Sequence, residues 1–394
     1  MSLRRASYFI PGLISFLFFL SSCKKTQEVP PAEVTISDVS LERTKTNTTY
    51  RFLVSLAKPV AQEVSIKYAT VEATAKAEKD FLSKSGTLTI PANSAQGFID
   101  VVVTGDSLRQ ANQLFYVQLS NPVGCTLTKD RASGSIINQN LLHLPTATTG
   151  YSTPLSYPGY QLVWNDEFNG NTINTSNWGY DIGNNNGWGN NELEYYTDRT
   201  DNAFLSSGNL IIEARNEVFG GKNYTSARML TKGKKIFQYG RVDIRAKLPR
   251  GKGIWPALWM LGKNIDQVSW PACGEIDIME LLGQQVNKVY GTIHWGSSMN
   301  TYRKKEGSYV LSTGGFDEEF HVYSLIWTAD AIKVMVDDQQ YFQALRAEIT
   351  DPNPFNSEFF FLFNIAVGGN WPGAPDNSTV FPQRMFVDYI RVFQ

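Results

Sequence analysis

Cysteine is scarce in this chain, with three residues in 394, which excludes a small scaffold built on disulfides. Charge is scarce too. Asp, Glu, Lys and Arg make up 19% of residues, and 36 basic side chains against 37 acidic ones leave a formal net charge of −1. No global basic field exists, so nucleic acid is not an expected partner. Histidine occurs three times, at His143, His294 and His321, with no two at ligand spacing, and a catalytic metal is not expected. Long stretches of 3.6-residue apolar period are missing, which argues against helical bundles. What is plentiful is aromatic rings (13%, including 9 Trp and 18 Tyr) and glycine (31), a composition suited to sheets, turns and sugar-facing surfaces. The 42% apolar content excludes general disorder.

The length predicts two or three domains. Charge divides accordingly: the first 140 residues carry a net positive charge and the remainder a net negative one. Arg4 and Arg5 precede a short apolar stretch, Tyr8 to Leu20, that ends in small residues. This is the layout of a secretory signal, and its core is too short for a confident membrane span. Leu20-Ser21-Ser22-Cys23 resembles the lipobox of bacterial lipoproteins, so residues 1–23 read as a lipoprotein signal with Cys23 lipidated after cleavage. Residues 24–32 read as a proline-stiffened tether. The expected location is the bacterial cell envelope, facing the periplasm or the outer-membrane surface, with the lipid as the sole membrane contact. Cys125 and Cys273 are expected to be buried free thiols.

Residues 33–138 show about seven short strands of alternating apolar and polar residues, among them Tyr50-Arg51-Phe52-Leu53-Val54 and Phe98-Ile99-Asp100-Val101-Val102-Val103. An immunoglobulin-like antiparallel β-sandwich follows. The segments Tyr68-Ala69-Thr70, Lys79-Asp80-Phe81, Gly86-Thr87-Leu88-Thr89-Ile90 and Phe115-Tyr116-Val117-Gln118-Leu119 make it similar to a Calx-beta domain. That family often binds calcium through clustered acids. Gln110, Asn112 and Gln113 stand here in their place, which argues against calcium in this domain. Its expected role is a spacer between the anchor and the rest of the chain, with glycan binding as the alternative. Residues 139–158, rich in Thr, Ser, Pro and Asn without sustained period, read as a linker.

Residues 159–394 again read as strands, and a domain of this size suits one large all-β sandwich. Its most informative segment is Gly274-Glu275-Ile276-Asp277-Ile278-Met279-Glu280-Leu281. Alternation puts Glu275 and Asp277 on one face, but sends Glu280 to the other, into the core. Burying an unpaired carboxylate is costly. A β-bulge at Ile278-Met279 resolves the conflict by returning Glu280 to the face of the other two acids. Two carboxylates flanking one bond are what glycoside hydrolysis requires. In this reading Glu275 is the nucleophile, Glu280 the acid/base, and Asp277 a partner that helps set the division of charge between them. Alternation also puts Cys273 on the face of Glu275, at the cleft edge. Trp255, Trp259, Trp295 and Trp371, in glycine-rich surroundings near the acids, suggest rings on which sugars stack.

The same domain resembles glycoside hydrolase family 16, in particular its laminarinase-like endo-β-1,3-glucanases. The likeness rests on Leu162-Val163-Trp164-Asn165-Asp166-Glu167-Phe168, Gly187-Trp188-Gly189-Asn190-Asn191-Glu192-Leu193-Glu194-Tyr195-Tyr196, Ser226-Ala227-Arg228-Met229, Trp255-Pro256-Ala257-Leu258-Trp259-Met260 and Val367-Gly368-Gly369-Asn370-Trp371-Pro372-Gly373. It implies a concanavalin-like β-jelly-roll with a concave cleft, a retaining mechanism, and the same roles for Glu275, Asp277 and Glu280. It also implies glucan contacts at Asn191, Arg228, Trp255, Trp259, His294 and Trp371, and a structural calcium at Glu167, Gly208 and Asp388, with no cofactor for catalysis. The expected substrate is a laminarin-like β-glucan and the expected state a monomer. Mixed-linkage glucan, agarose or carrageenan within the family, and a non-catalytic glycan-binding sandwich outside it, are the alternatives. The net negative charge of the domain disfavours sulfated chains, and three intact acids disfavour a non-catalytic role.

Overall fold

The alternation in the sequence becomes two β-sandwiches in a computed structural model that describes residues 31–138, 143–350 and 352–394. The signal, Cys23 and most of the tether lie outside the described residues. Among those residues the one α-helix is the four-residue turn Ile265–Val268.

In the N-terminal sandwich, four strands in the order Gln96–Val103, Thr48–Leu56, Ala32–Ile36 and Cys125–Leu127 face five in the order Val39–Glu42, Arg131–Ile137, Gln113–Val123, Val64–Glu72 and Ser85–Ile90. Inward residues of both sheets close on Phe115, which stacks on Phe81 at 4.6 Å and meets Phe52 edge-on at 5.9 Å. The pairing departs from the all-antiparallel expectation. Ala32–Ile36 runs parallel to Cys125–Leu127, and Val39–Glu42 parallel to Arg131–Ile137. The first strand crosses from one sheet to the other between Ile36 and Val39, so each half lies along a late segment running the same way.

The larger sandwich has an inner sheet of seven antiparallel strands in the order Gly179–Asp181, Arg228–Leu230, Phe359–Val367, Ile254–Gly262, Glu275–Leu281, Lys288–Trp295 and Arg303–Val310. The outer sheet has ten strands and includes Asn209–Phe219, Gln383–Phe393, Gly240–Lys247, His321–Trp327, Ala331–Val336 and Gln339–Leu345. Ile276, Ile278, Met279 and Leu281 join Val242, Ile244, Leu325, Phe361 and Phe363 in the core between the sheets. Full burial of such side chains contributes roughly 1.5–3 kcal/mol each.

The described part of the expected linker 139–158, residues 143–158, is laid against the outer sheet. Arg245 donates from Nε to the Tyr151 carbonyl at 2.6 Å and from Nη2 to the Thr148 carbonyl at 2.8 Å. Arg391 donates to the Thr153 carbonyl at 2.9 Å, and the Tyr157 hydroxyl to Asp243 at 2.7 Å. The two sandwiches also touch through Arg109, 5% exposed, whose Nε and Nη2 donate to the two oxygens of buried Glu213 at 3.0 and 2.9 Å. Arg109 also donates to the Asp201 carbonyl and covers the Phe204 ring. Such forked, desolvated contacts fix orientation as well as proximity.

Candidate active site

The acidic strand carries the bulge that its sequence demands. Leu258 pairs with Met279 while its neighbour Trp259 pairs with Asp277, so Ile278 is the extra residue. The neighbouring strand agrees: Thr292 pairs with Asp277 and Tyr290 with Glu280, leaving Gly291 alone opposite two residues. Ile276, Ile278 and Met279 point into the core, while Glu275, Asp277 and Glu280 all line one cavity of about 720 Å³ on the concave face.

Each acid has its own surroundings. Glu280 accepts a hydrogen bond from Trp255 Nε1 at 3.0 Å. His294 Nε2 stands 3.1 Å from Asp277 Oδ2 and 3.6 Å from Glu275 Oε1. Asp277 Oδ2 is buried without a hydrogen-bond partner, and the His294 nitrogen beside it becomes its ion-pair partner when the imidazole is protonated. His294 Nδ1 lies 2.7 Å from the Tyr302 hydroxyl, whose ring stacks on the imidazole. Burial pushes the carboxyl groups of Glu275, Asp277 and Glu280 up to about 8, and the charge on Asp277 adds to the rise at both glutamates. The three therefore do not all ionise at neutral pH. Protons are retained in the cluster, which is the condition for one carboxylate to attack while another carboxylic acid donates.

The walls are aromatic. Trp371, 40% exposed, meets Trp255 edge-on at 5.4 Å and Tyr290 at 5.0 Å, forming a corner beside Glu280. At another wall the Arg228 guanidinium lies between the rings of Trp188 and Trp259, 4.6 and 4.8 Å from their centroids, and pairs with Asp181 at 3.0 Å. Trp259 Nε1 donates to Asn364 at 2.8 Å, which fixes the indole plane. Flat apolar faces beside a few fixed polar groups are the usual design of a ligand cleft.

Arg228, Trp255, Trp259, His294 and Trp371 all lie in this lining. Two expected contacts do not. Trp295 is 5% exposed, sits in the core and donates from Nε1 to Thr350, because strand alternation turns it away from the face of its neighbour His294. Asn191 has φ +56 and binds Asn370 at 2.8 Å outside the lining, and the preceding Asn190 faces the cavity instead. Cys273 is on the cleft side of the inner sheet, as alternation from Glu275 implies, but buried: it packs with Leu230, Leu261 and Phe360 under Trp259 and Ile265, and Leu261, Trp259 and Ile265 line the cavity while the thiol does not. The aromatic lining residues missed are Trp188, Trp270, Tyr290 and Tyr302, and polar ones such as Glu192, Lys304, Glu306 and Asn364 were missed with them. Trp188 belongs to the segment 187–196 that carries the family resemblance, while Trp270 and Tyr302 come from loops with no period to read.

The positions expected for structural calcium lie away from the cavity. Glu167 accepts two hydrogen bonds from Arg391 at 2.8 Å, Asp388 accepts one from Arg245 at 2.6 Å, and Gly208 offers only its carbonyl. As placed, these carboxylates are engaged by guanidinium groups and do not fit a hard cation needing several free anionic oxygens. No chemical step is assigned to a metal.

Residues 188–391 match the family described as Glycosyl hydrolases family 16, and residues 30–139 match the Calx-beta domain. A beta-glucanase of Rhodothermus marinus is 43% identical over 251 residues, covering 60% of this chain and 86% of that protein. The laminarinase catalytic domain of Thermotoga maritima is 48% identical with a TM-score of 0.56, over 60% of this chain and 98% of that one. The endo-beta-1,3-glucanase of Pyrococcus furiosus is 42% identical with a TM-score of 0.56, over 60% and 94%. All three likenesses are to about the C-terminal three-fifths, where the acids and their aromatic walls lie, and the chain belongs to family 16 of the glycosyl hydrolases.

Proposed function

We propose that the protein is an endo-β-1,3-glucanase of the laminarinase type, hydrolysing laminarin-like β-glucans with retention of anomeric configuration. The observation that carries the reading is the bulged strand, which gathers Glu275, Asp277 and Glu280 on the floor of an aromatic-walled cleft. The relatives named above, described as beta-glucanase, laminarinase and endo-beta-1,3-glucanase, support the choice of linkage.

In this mechanism Glu275 attacks the anomeric carbon while Glu280, protonated, gives its proton to the departing glycosidic oxygen. A covalent glycosyl-enzyme forms. Glu280, now ionised, takes a proton from water, which attacks the same carbon and frees Glu275. Asp277 and His294 form the electrostatic bridge: a proton on His294 favours ionised Glu275, and the negative charge on Asp277 favours protonated Glu280. Trp255, Trp371 and Tyr290 offer sugar-stacking faces beside Glu280, and the Trp188–Arg228–Trp259 sandwich offers a wall elsewhere along the cleft.

The deciding experiment compares products from laminarin, lichenan and agarose. Internal cleavage of laminarin, with the β-anomer appearing first by NMR, is the expected result. Exclusive cleavage of lichenan or agarose would move the specificity within the family, and the α-anomer first would refute retention. We also propose that residues 1–23 direct export and that lipidated Cys23 holds the monomeric enzyme at the cell envelope. Cys23→Ser should then release activity from the membrane fraction.

A further inference from the structure

Two β-bulges face each other across the core. One inserts Ile278 into the acidic strand. The other lies in the outer-sheet strand Gln339–Leu345, where Val334 pairs with Phe342 but the next residue, Met335, pairs with Gln340. Tyr341 is therefore an extra residue too. Regular alternation would point it away from the core, opposite to the buried Phe342 and Ala344. The bulge turns it inward, and its hydroxyl donates to the carbonyl of Ile278 at 3.0 Å. An inserted residue is left out of the strand ladder, so this carbonyl needs a partner from elsewhere, and the opposite sheet supplies one.

The path is open because the residue facing the first bulge is Gly291. A Cβ there would stand 3.1 Å from the Tyr341 ring and 3.2 Å from its hydroxyl. Burial, and the nearby carboxylates of Glu280 and Asp277, keep the hydroxyl in its neutral, donating form.

We infer that Tyr341 is a positioning residue for the reaction: by clamping Ile278 from the outer sheet it sets where Glu280 stands relative to Glu275. The inference rests on the proposed roles of these two glutamates. Without the clamp the bulge can flatten, and Glu280 then turns toward the core face to which regular alternation assigns it.

The test is Tyr341→Phe, which keeps the ring and removes only the donor. Rates are measured on laminarin and on a laminari-oligosaccharide bearing a dinitrophenyl leaving group, which departs without a proton from Glu280. On laminarin, kcat/KM should fall roughly 5- to 50-fold, mostly through kcat, as expected for one buried hydrogen bond lost. The basic limb of the pH profile should move with it. On the activated substrate kcat/KM should fall less than about threefold, because proton donation is not required. Gly291→Ala, which pushes the ring aside but keeps the hydroxyl, should reproduce the pattern. Equal losses on both substrates, or a lowered Tm with unchanged kcat and pH limbs, would make Tyr341 a packing residue and overturn the inference. A wild-type protein inactive on both substrates would refute the proposed function instead.

Discussion

The bond from Trp255 Nε1 to Glu280 ties an aromatic wall of the cleft to its acid, so its removal should be read in the pH profile. Trp255→Phe keeps an aromatic face but deletes the donor, which lies 3.0 Å from Oε1. A donor aimed at a carboxylate stabilises the ionised form more than the neutral acid, and this bond holds the Glu280 carboxyl lower than burial alone would. Deleting it must raise that value. A hydrogen bond to a charged group contributes about 1.5–3 kcal/mol against about 0.5–1.5 for a neutral one, a difference of roughly 1–1.5 kcal/mol. At about 1.36 kcal/mol per pH unit, the shift is roughly one unit upward. Glu280 must be protonated to act first, so the basic limb of kcat/KM marks loss of that proton. The limb should move up by about one pH unit while the acid limb, which reports ionisation of the nucleophile, stays near its wild-type position. Because the three acids are coupled, both limbs are read as macroscopic values. KM should rise, since the edge contact with Trp371 is weakened. Initial rates on laminarin from about pH 4 to 10 decide the matter. A basic limb that stays in place, or moves down, refutes the coupling between this indole and the acid.

Three further perturbations test other parts of the reading. Glu275→Gln should lower turnover by several orders of magnitude while oligosaccharide binding, followed by calorimetry, persists. Burial raises the Glu275 carboxyl from 4.5 to about 8, so the folded state holds that proton more tightly than the unfolded chain and loses stability as pH rises through this window. The Gln variant should therefore have the higher Tm at pH 8.5 and no advantage at about pH 4, checked by scanning calorimetry at both. Arg109→Met removes the forked contact to Glu213, which keeps Arg384 at 2.7 Å. The loss should be on the order of 2 kcal/mol in urea unfolding, with the N-terminal sandwich melting apart from the larger one and laminarin turnover unchanged. Gly274→Ala places a Cβ 2.7 Å from Pro354 at φ +78, so a loss of at least about 1–2 kcal/mol in Tm-derived stability should accompany a fall in kcat.

How much of this was legible in the sequence depends on whether the determining interaction was local. Strand alternation is local, and the sandwich class, the inward set and the acidic strand all followed from it. Even the bulge was legible, because a third acid at the wrong parity would have been buried without a partner. The inward place of Trp295 follows from the same rule. His294 and Trp295 are consecutive in one strand, so both could not face the cleft. Cys273 is different: its face follows from alternation, but its burial does not, because the residues that cover it, Trp259 and Ile265, come from other segments. The strap at residues 143–158 has no period because its backbone carbonyls are held by Arg245 and Arg391, far along the chain.

The charged positions show the same limit from another side. Glu167 and Asp388 are acids at positions where the family resemblance implies a calcium, yet an arginine from a neighbouring strand reaches each one. Composition cannot distinguish a carboxylate waiting for a cation from one already holding a guanidinium, since both are acids with a nearby turn or strand. The two bulges make the contrast sharpest. Ile278 announces its bulge by the parity of Glu280, three residues from Asp277. Tyr341 announces nothing, because the reason it turns inward is a carbonyl 63 positions away in another sheet. Catalytic groups can be read from a strand by their parity, but the contacts that hold those groups at working distance are set by packing between sheets and emerge only from the fold.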